Sequence, residues 1–213
     1  MIFNSDYLTI KKSKKNNYNL NINMDSKNNK ILWEKVLYKF IKNLKHSKKN
    51  GENTINAIKI EKLSDELKGN KLEYHIALKL MNDIGTQIFL LNKLGYGITH
   101  FDIDDIIIID GDFLFINPDK IVKEQSKELY IDKIIKKNKF ISPELENLES
   151  IPNKIHYKTS IYSLALICIY CLTKKNIKDN PLSLIDYIYA TKLYWCIERC
   201  LEQHPKNRFF YII

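Results

Sequence analysis

The chain has 213 residues and 45% of them are hydrophobic, which excludes a disordered protein and allows a domain with a substantial core. Its formal net charge is +9, and residues 1–50 carry this surplus with twelve lysines against three acidic residues. A basic region favours an anionic partner, but few aromatic residues lie among these lysines and no nucleic-acid-binding signature is present. We therefore expect a solvated basic surface there and keep nucleic-acid binding as a weaker alternative.

Neither a membrane span nor a secretion signal is expected. No apolar run reaches the roughly 18 residues of a membrane-spanning helix, and the first residues lack a charged leader and an apolar segment. The cysteines form two pairs, three and four residues apart, and these spacings put each pair on one helix face. Buried free thiols in an intracellular, reducing compartment are the preferred interpretation, and zinc is the alternative. The pairs are Cys168 with Cys171 and Cys196 with Cys200.

The first sixty residues predict a small unit that mixes strands with a helix. Apolar and polar residues alternate in residues 7–12 and again in 18–24, around a polar turn, which predicts a β-hairpin. Apolar residues at helical spacing predict a helix over 31–44. A polar loop over 46–53 and a strand over 55–60 follow.

The middle of the chain predicts a long helix and a second hairpin. Apolar residues step in threes and fours from Leu72 to Leu91, which predicts an amphipathic helix that ends at Gly95. Two short β-rich runs, 106–109 and 113–116, then flank an Asp-Gly turn signal. Asp110 and Asp112 are interpreted as turn formers in this hairpin.

Four short motifs follow one another between residues 100 and 208. The first is His100-Phe101-Asp102, which is followed by Ile107 and then by Asn117-Pro118-Asp119. The second is Ser142-Pro143-Glu144. The third is the His-Tyr-Lys-Thr-Ser-Ile-Tyr-Ser-Leu-Ala run over 156–165, and the fourth is the Cys-Leu-Glu-Gln-His-Pro-Lys-Asn-Arg run over 200–208.

Taken in this order, the motifs resemble those of the protein kinase superfamily over about residues 60–210. Kinases carry His-Arg-Asp, four residues, Asn, and then Asp-Phe-Gly and Ala-Pro-Glu. The resemblance implies an α+β fold with a minimal β/α N-lobe in 1–62 and a predominantly α-helical C-lobe in 63–213. It also implies a lobe hinge at 60–67 and an activation segment at 118–140.

The resemblance gives individual residues their expected places. Asp102 takes the position of the catalytic base and His100 braces the loop, while Phe101 replaces the arginine through which a phosphorylated activation segment usually acts. Ile107 falls where the metal-binding Asn belongs, and Asn117 where the metal-binding Asp belongs. Three further positions lie in the C-lobe: Ser160 replaces an aspartate, and Glu144 and Arg208 are expected to form an ion pair.

Most of what nucleotide binding needs is missing from the sequence. No glycine precedes Gly51, so a glycine-rich phosphate loop is absent from the N-lobe. Asn23 stands near the position of the strand lysine, and Glu34 is better explained as a surface charge than as that lysine's partner. Asp104, at the position of the loop lysine, would repel phosphate. We therefore expect no ATP, magnesium or other cofactor.

The preferred hypothesis is a catalytically impaired pseudokinase that binds a protein partner, such as a kinase or a kinase substrate, as a regulatory or decoy module. The chain is rich in lysine, asparagine and isoleucine, which is typical of an AT-rich genome. A truncated kinase-like protein of this composition is expected in a large DNA virus, in which case the protein would lie inside the host cell, or in another organism with an AT-rich genome. The alternative is a divergent active serine/threonine kinase with Asp102 as the base. In that case magnesium and ATP would be held by improvised ligands among Asp104, Asp105 and Asp119.

Overall fold

The computed structural model describes residues 2–13, 16–41, 43–46, 53–177 and 180–211. Helices and antiparallel sheets are both present in these ranges, which confirms the predicted α+β class. The α-helices are α1 Lys27–Ile31, α2 Leu63–Gly69, α3 Tyr74–Lys93, α4 Pro143–Glu146, α5 Thr159–Thr173 and α6 Lys192–Cys200. The strands are β1 Phe3–Asn4, β2 Leu8–Lys12, β3 Asn17–Ile22, β4 Leu44–His46, β5 Asn53–Asn56, β6 Ile60–Lys62, β7 Tyr96–Ile98, β8 Ile106–Ile109, β9 Asp112–Phe115, β10 Ile121–Gln125, β11 Glu128–Ile131 and β12 Asn153–His156.

The chain divides into two compact units. The N-terminal unit comprises Met1–Lys68 and Ile103–Asp119, and the C-terminal unit comprises Gly69–Asp102 and Lys120–Ile213. The expected lobe boundary after residue 62 assigns the segment 103–119 to the helical lobe, whereas here this segment packs with the N-terminal unit. The reason is strand pairing, because β8 in this segment is hydrogen-bonded to β6.

The first sheet of the N-terminal unit has the strand order β1-β2-β3-β5-β4. Its β2 and β3 form the predicted hairpin, with Ile10 opposite Leu20 and Leu8 opposite Ile22. These four side chains are buried, while the residues between them are exposed or half-buried. Alternation of this kind identified the hairpin because one face of the sheet is covered and the other is solvated.

The helix expected over 31–44 starts earlier and ends sooner. It begins with α1 after the N-cap Ser26. It continues as a π-helical segment over Leu32–Val36 and ends as a 3₁₀ turn over Leu37–Lys39. Residues from Leu44 onward instead form β4, which pairs with β5. The strand expected over 55–60 is likewise divided between β5 and β6, and residues 47–52 of the expected loop lie outside the described residues.

The second sheet of the N-terminal unit has the order β6-β8-β9 and contains the predicted hairpin. Asp110 and Gly111 both have positive φ angles, +50° and +86°, as a two-residue type I′ turn requires. The Asp110 carboxylate also accepts hydrogen bonds from the backbone N–H groups of Ile58 at 2.7 Å and Lys59 at 2.9 Å. Asp110 therefore shapes the turn and fixes its tip to the segment before β6.

The C-terminal unit packs α3 against α5 and α5 against α6, beside a sheet of order β12-β11-β10-β7. The predicted helix over 72–91 is α3, and the chain leaves it through Gly95, whose φ of +76° suits glycine. The segment expected to be the activation segment contains β10 and β11. The four cysteines are buried free thiols on α5 and α6.

No helix in the described ranges combines the length and apolar character needed to cross a membrane. The longest, α3, buries one face and carries charged residues such as Lys79 and Asp83 in an ion pair of 2.8 Å. The most apolar, α5, has 15 residues and is buried along nearly its whole length. Both helices are therefore explained by packing within the C-terminal unit.

Candidate functional site

The His100-Phe101-Asp102 loop follows a strand that is paired with the strand after Asn117. Ile98 at the end of β7 lies opposite Ile121 at the start of β10. The pairing continues one residue further, because the Thr99 N–H donates to the Lys120 carbonyl at 3.0 Å. The start and end of the intervening segment are thus held together by the sheet of the C-terminal unit.

The loop itself is anchored by polar contacts and by an apolar side chain. Thr99 is buried, and its Oγ1 lies 2.9 Å from His100 Nδ1, within hydrogen-bonding distance. Phe101, at the arginine position of the kinase pattern, is fully buried. His100 and Asp102 are half-buried. A buried phenyl ring fixes this backbone but offers no charge for a phosphate group.

Ile107, which the kinase resemblance assigns to the position of the metal-binding Asn, lies within strand β8 of the N-terminal unit. It is fully buried and is paired with Leu114 on one side and Lys62 on the other. All four residues of β8 are buried, which explains the run of isoleucines in the sequence. This position therefore serves the core of the sheet and supplies no oxygen for a metal ion.

Asn117, which the kinase resemblance assigns to the position of the metal-binding Asp, makes hydrogen bonds through both the nitrogen and the oxygen of its side-chain amide. Its Nδ2 donates to Asp105 Oδ1 at 2.7 Å, and its Oδ1 accepts from the Asp119 N–H at 3.1 Å. The second contact is an Asx turn, in which the side chain shapes its own backbone. The Asp105 backbone carbonyl also accepts from the Ile116 N–H at 2.9 Å, so the two segments are joined twice. Asn117 acts here as a structural residue.

Asp105 is a buried carboxylate that the sequence suggested only as one of several substitute magnesium ligands in the active-kinase alternative. It is 5% exposed, and the amide of Asn117 is one of its partners. Its charge acts on Tyr7, whose pKa is raised to about 12 mainly by burial and then by Asp105, with a smaller effect of Asp119. The raised pKa means that Tyr7 keeps its proton further into the alkaline range than an ordinary tyrosine does. No pattern in the sequence links Tyr7 to residues about a hundred positions away.

These residues do not fit the magnesium ion that a kinase would hold. Mg²⁺ needs several hard oxygen ligands in octahedral geometry, and one of the two expected positions is a hydrocarbon side chain. Across the described ranges, no group of three or more His, Cys, Asp or Glu side chains is arranged to bind a metal. Asn23, near the strand-lysine position, is exposed and accepts from the Asp25 N–H at 2.9 Å in a turn.

The ion pair expected between Glu144 and Arg208 is present in the C-terminal unit. Arg208 Nη2 donates to Glu144 Oε2 at 2.7 Å and Nη1 donates to Oε1 at 2.5 Å, a two-pronged contact. Arg208 is fully buried, and the Glu144 side chain is 17% exposed. The ion pair and its two hydrogen bonds offset the desolvation cost of burying the Arg208 guanidinium.

The remaining N–H donors of Arg208 are directed at backbone carbonyl groups. Nε donates at 2.9 Å, Nη2 at 3.3 Å and Nη1 at 3.4 Å. The guanidinium therefore has an acceptor for each of its five N–H groups. Its central carbon also lies 4.7 Å from the ring centre of Tyr162, which adds a cation–π contact. The backbone acceptors are, in the same order, Glu202, Gln203 and Lys158.

Two buried serines near this ion pair behave differently. Ser142 Oγ lies 2.6 Å from Thr159 Oγ1, and both residues are fully buried. Ser160, which replaces an aspartate of the kinase pattern, is also fully buried, yet its Oγ has no hydrogen-bond partner within the described ranges. The Ser160 hydroxyl is therefore buried without a contact among the described residues.

Comparison with known protein families finds no family model that matches this chain, and comparison with curated proteins finds no match either. The likeness to protein kinases therefore depends on the motifs quoted above and stays a prediction.

Proposed function

We propose that the protein is a kinase-like pseudokinase that binds a protein partner and does not transfer phosphate. The observation that carries this proposal is the side chain of Asn117, whose amide is engaged by Asp105 and by the Asp119 backbone. A second observation supports the proposal: Ile107, at the expected position of the metal-binding Asn, is a fully buried strand residue and offers no metal ligand. Phosphoryl transfer is accelerated mainly by positioning and by electrostatic stabilisation, and both depend on metal and phosphate ligands.

Support for the kinase-like part comes from motifs whose contacts suit the family pattern. The segment between His100 and Asn117 contains the expected hairpin and is bracketed by the paired strands β7 and β10. Glu144 and Arg208 form the expected ion pair. Because these contacts join motifs that are distant in sequence, they favour a common architecture over chance matches.

A candidate surface for the partner is the segment that follows β11. Ile134 is 87% exposed there, and the neighbouring residues Lys133, Lys136 and Lys137 are exposed as well. An apolar side chain among lysines favours a partner segment with apolar and acidic residues. This charge pattern suits an acidic peptide of a kinase or of a kinase substrate.

The nucleotide test uses thermal unfolding of the full chain with ATP and Mg²⁺ or Mn²⁺ at millimolar concentration. We expect no change in Tm, since the metal positions are occupied by Ile107 and Asn117. A bound nucleotide at about a hundred times its Kd would stabilise the protein by roughly 2.7 kcal/mol. A reproducible rise in Tm with nucleotide would therefore argue against the proposal.

One observation favours a second candidate, a divergent active serine/threonine kinase. The Asp105 carboxylate accepts a hydrogen bond from the Asn117 side chain, so a carboxylate oxygen is present near the position where the metal-binding Asp is expected. If this candidate is correct, the purified protein phosphorylates a generic substrate with Mn²⁺, and Asp102→Asn abolishes that activity while Asp112→Asn preserves it. Activity that persists in Asp102→Asn would point to a contaminating kinase.

A further inference from the structure

Three exposed aromatic rings of the C-terminal unit line one cavity of about 570 Å³. Phe89 on α3 is 46% exposed, and Phe209 and Tyr211 in the segment after α6 are 52% and 54% exposed. The half-buried ring of Tyr157 lines the same cavity. We call these four residues the aromatic face. Exposed apolar side chains that gather in one place, as here, are typical of an interaction surface.

The segment after α6, which supplies part of the aromatic face, is held between two helices. Phe210 packs against α3, because a Cβ atom added to Gly85 would lie 1.9 Å from Cζ of its ring. On the other side, the Phe209 N–H donates to the Arg199 carbonyl at 3.2 Å, and the Phe209 carbonyl accepts from the Cys200 thiol at 3.6 Å. The aromatic face is therefore formed before any ligand binds.

Two of the exposed rings have an exposed cation beside them. Lys93 Nζ lies 4.4 Å from the ring centre of Phe89, and the guanidinium carbon of Arg199 lies 5.4 Å from the ring centre of Tyr211. Lys93 and Arg199 are both exposed residues. A ligand on the aromatic face would therefore meet a flat apolar surface and a positive charge side by side.

The cavity wall between these cations also favours an anionic ligand. Lys158 Nζ lies 5.5 Å from the ring centre of Phe209 and donates to the backbone carbonyls of Lys206 and Arg208, so its role is to hold the wall. The Arg208 guanidinium is paired with Glu144. None of the described residues that line the cavity is acidic. The charge that remains around the cavity is positive.

Rings with cations beside them are typical of surfaces that bind single-stranded nucleic acid. Unpaired bases stack on aromatic side chains, while lysine and arginine contact the phosphates between them. An acidic peptide would match the charge but offers no regular series of flat groups for the rings. A lipid surface is flat and would not reach rings that line a concave cavity, whereas an unpaired base can enter it.

We propose that the aromatic face binds single-stranded nucleic acid. Phe89 and Tyr211 stack on unpaired bases, and Lys93 and Arg199 contact the adjoining phosphates. These residues come from α3, α6 and the segment after α6, so no local motif in the sequence reveals them. The site belongs entirely to the C-terminal unit and does not depend on the kinase-like function.

The test for stacking measures fluorescence anisotropy of a labelled oligothymidylate titrated with the full chain at low salt. Phe89→Ala should weaken binding about fivefold or more, the usual effect of losing one stacked base. Phe89→Trp keeps a ring and should retain the affinity. The matched control is Tyr187→Ala, because this ring is 63% exposed and its hydroxyl donates to the Leu172 carbonyl, at the opposite end of α5 from the cavity. The control should bind as the original chain does.

The dependence of binding on salt tests the cations. The logarithm of the association constant should fall with the logarithm of the salt concentration by about 0.7 for each phosphate contact in a single strand. Arg199→Gln should lower this slope by about 0.7, and Arg199→Lys should keep it. Lys175→Gln is the matched control, since Lys175 is exposed and follows the opposite end of α5. It should leave the slope unchanged.

Four results would overturn the proposal. One is the absence of binding at low salt. Another is equal affinity in Phe89→Ala and the original chain, which would place binding elsewhere, for example in the lysine-rich residues 1–50. A third is an equal loss in Phe89→Ala and Tyr187→Ala. The last is binding of polyglutamate or of phosphatidylserine vesicles in place of the oligonucleotide, because the face would then take an acidic peptide or a membrane. All four leave the ATP test of the pseudokinase proposal unaffected.

Discussion

Arg208 shows how much one buried side chain can organise at the residue scale. It connects Glu144 with three backbone carbonyls and contacts the ring of Tyr162. The sequence predicted the partner Glu144 because both residues belong to recognisable motifs. It did not predict the carbonyls or Tyr162, since those contacts depend on how α5 and the segment after α6 pack.

Arg208→Met is expected to lower the free energy of unfolding by about 3–5 kcal/mol, because Glu144 would be left as a largely buried charge without its partner. Urea denaturation of the full chain measures this loss. The double substitution Arg208→Met with Glu144→Leu should recover part of the stability. Lys206→Met, an exposed cation nearby, should change it by less than about 0.5 kcal/mol. Equal losses in Arg208→Met and Lys206→Met would contradict this role.

Asn117 allows a second test at the residue scale. Asn117→Asp introduces the carboxylate of the kinase pattern but puts it beside Asp105 and removes one hydrogen-bond donor, so we expect the free energy of unfolding to fall by about 1–3 kcal/mol at neutral pH. Asn117→Ala removes both side-chain hydrogen bonds of Asn117 but adds no charge beside Asp105, and we expect it to lose less. Thermal unfolding with and without Mg²⁺ separates the explanations. Stabilisation of Asn117→Asp alone by Mg²⁺ would favour the active-kinase candidate.

At the scale of elements, the hydrophobic pattern of the sequence predicted a helix or strand correctly where the buried residues recur at one regular spacing. Three elements were predicted in this way: the β2–β3 hairpin, α3 and the β8–β9 hairpin. In the first two, one face is buried and the other is exposed or half-buried, and in the third a continuous apolar run forms a fully buried strand. The helix expected over 31–44 failed at its end, because pairing of Leu44 with Ile55 in the sheet outweighs helical spacing. Such pairing depends on a strand that comes later in the chain.

The β8–β9 turn gives the element-scale prediction. Gly111→Ala is expected to cost roughly 1–2 kcal/mol, because a φ of +86° is unfavourable for a residue with a Cβ atom. Gly69→Ala is the matched control at the end of α2, where nothing lies within 4 Å of the added atom. Chemical denaturation of both variants provides the comparison. A loss in Gly69→Ala as large as that in Gly111→Ala would refute the turn argument.

At the scale of the whole molecule, the division into two units differs from a simple cut between an N-lobe and a C-lobe. Residues 103–119 leave the C-terminal unit, pair with β6 and then return to β10. The motif order in the sequence could not reveal this, because it fixes which residues follow one another and not which strands pair.

Hydrogen exchange tests this division. Leu20→Ala removes a fully buried side chain from the N-terminal unit and is expected to cost about 2–5 kcal/mol. Amide exchange should then accelerate in β8 and β9 but less in β7 and β10. Leu164→Ala, a fully buried residue of α5, should give the reverse pattern. Equal acceleration of all four strands in both variants would contradict two separate units.

The assignment of residues 103–119 to the N-terminal unit also affects how well shortened forms of this protein can fold. Neither unit is encoded by an uninterrupted stretch, since each is assembled from two separate segments of the chain. A transcript that starts after codon 62 would still encode β8 but would lack the strand that covers its edge. Its product would present a row of unpaired backbone groups on an isoleucine-rich strand, which is a recognised cause of aggregation. Shortened forms of this protein are therefore expected to be insoluble instead of yielding an independent helical domain.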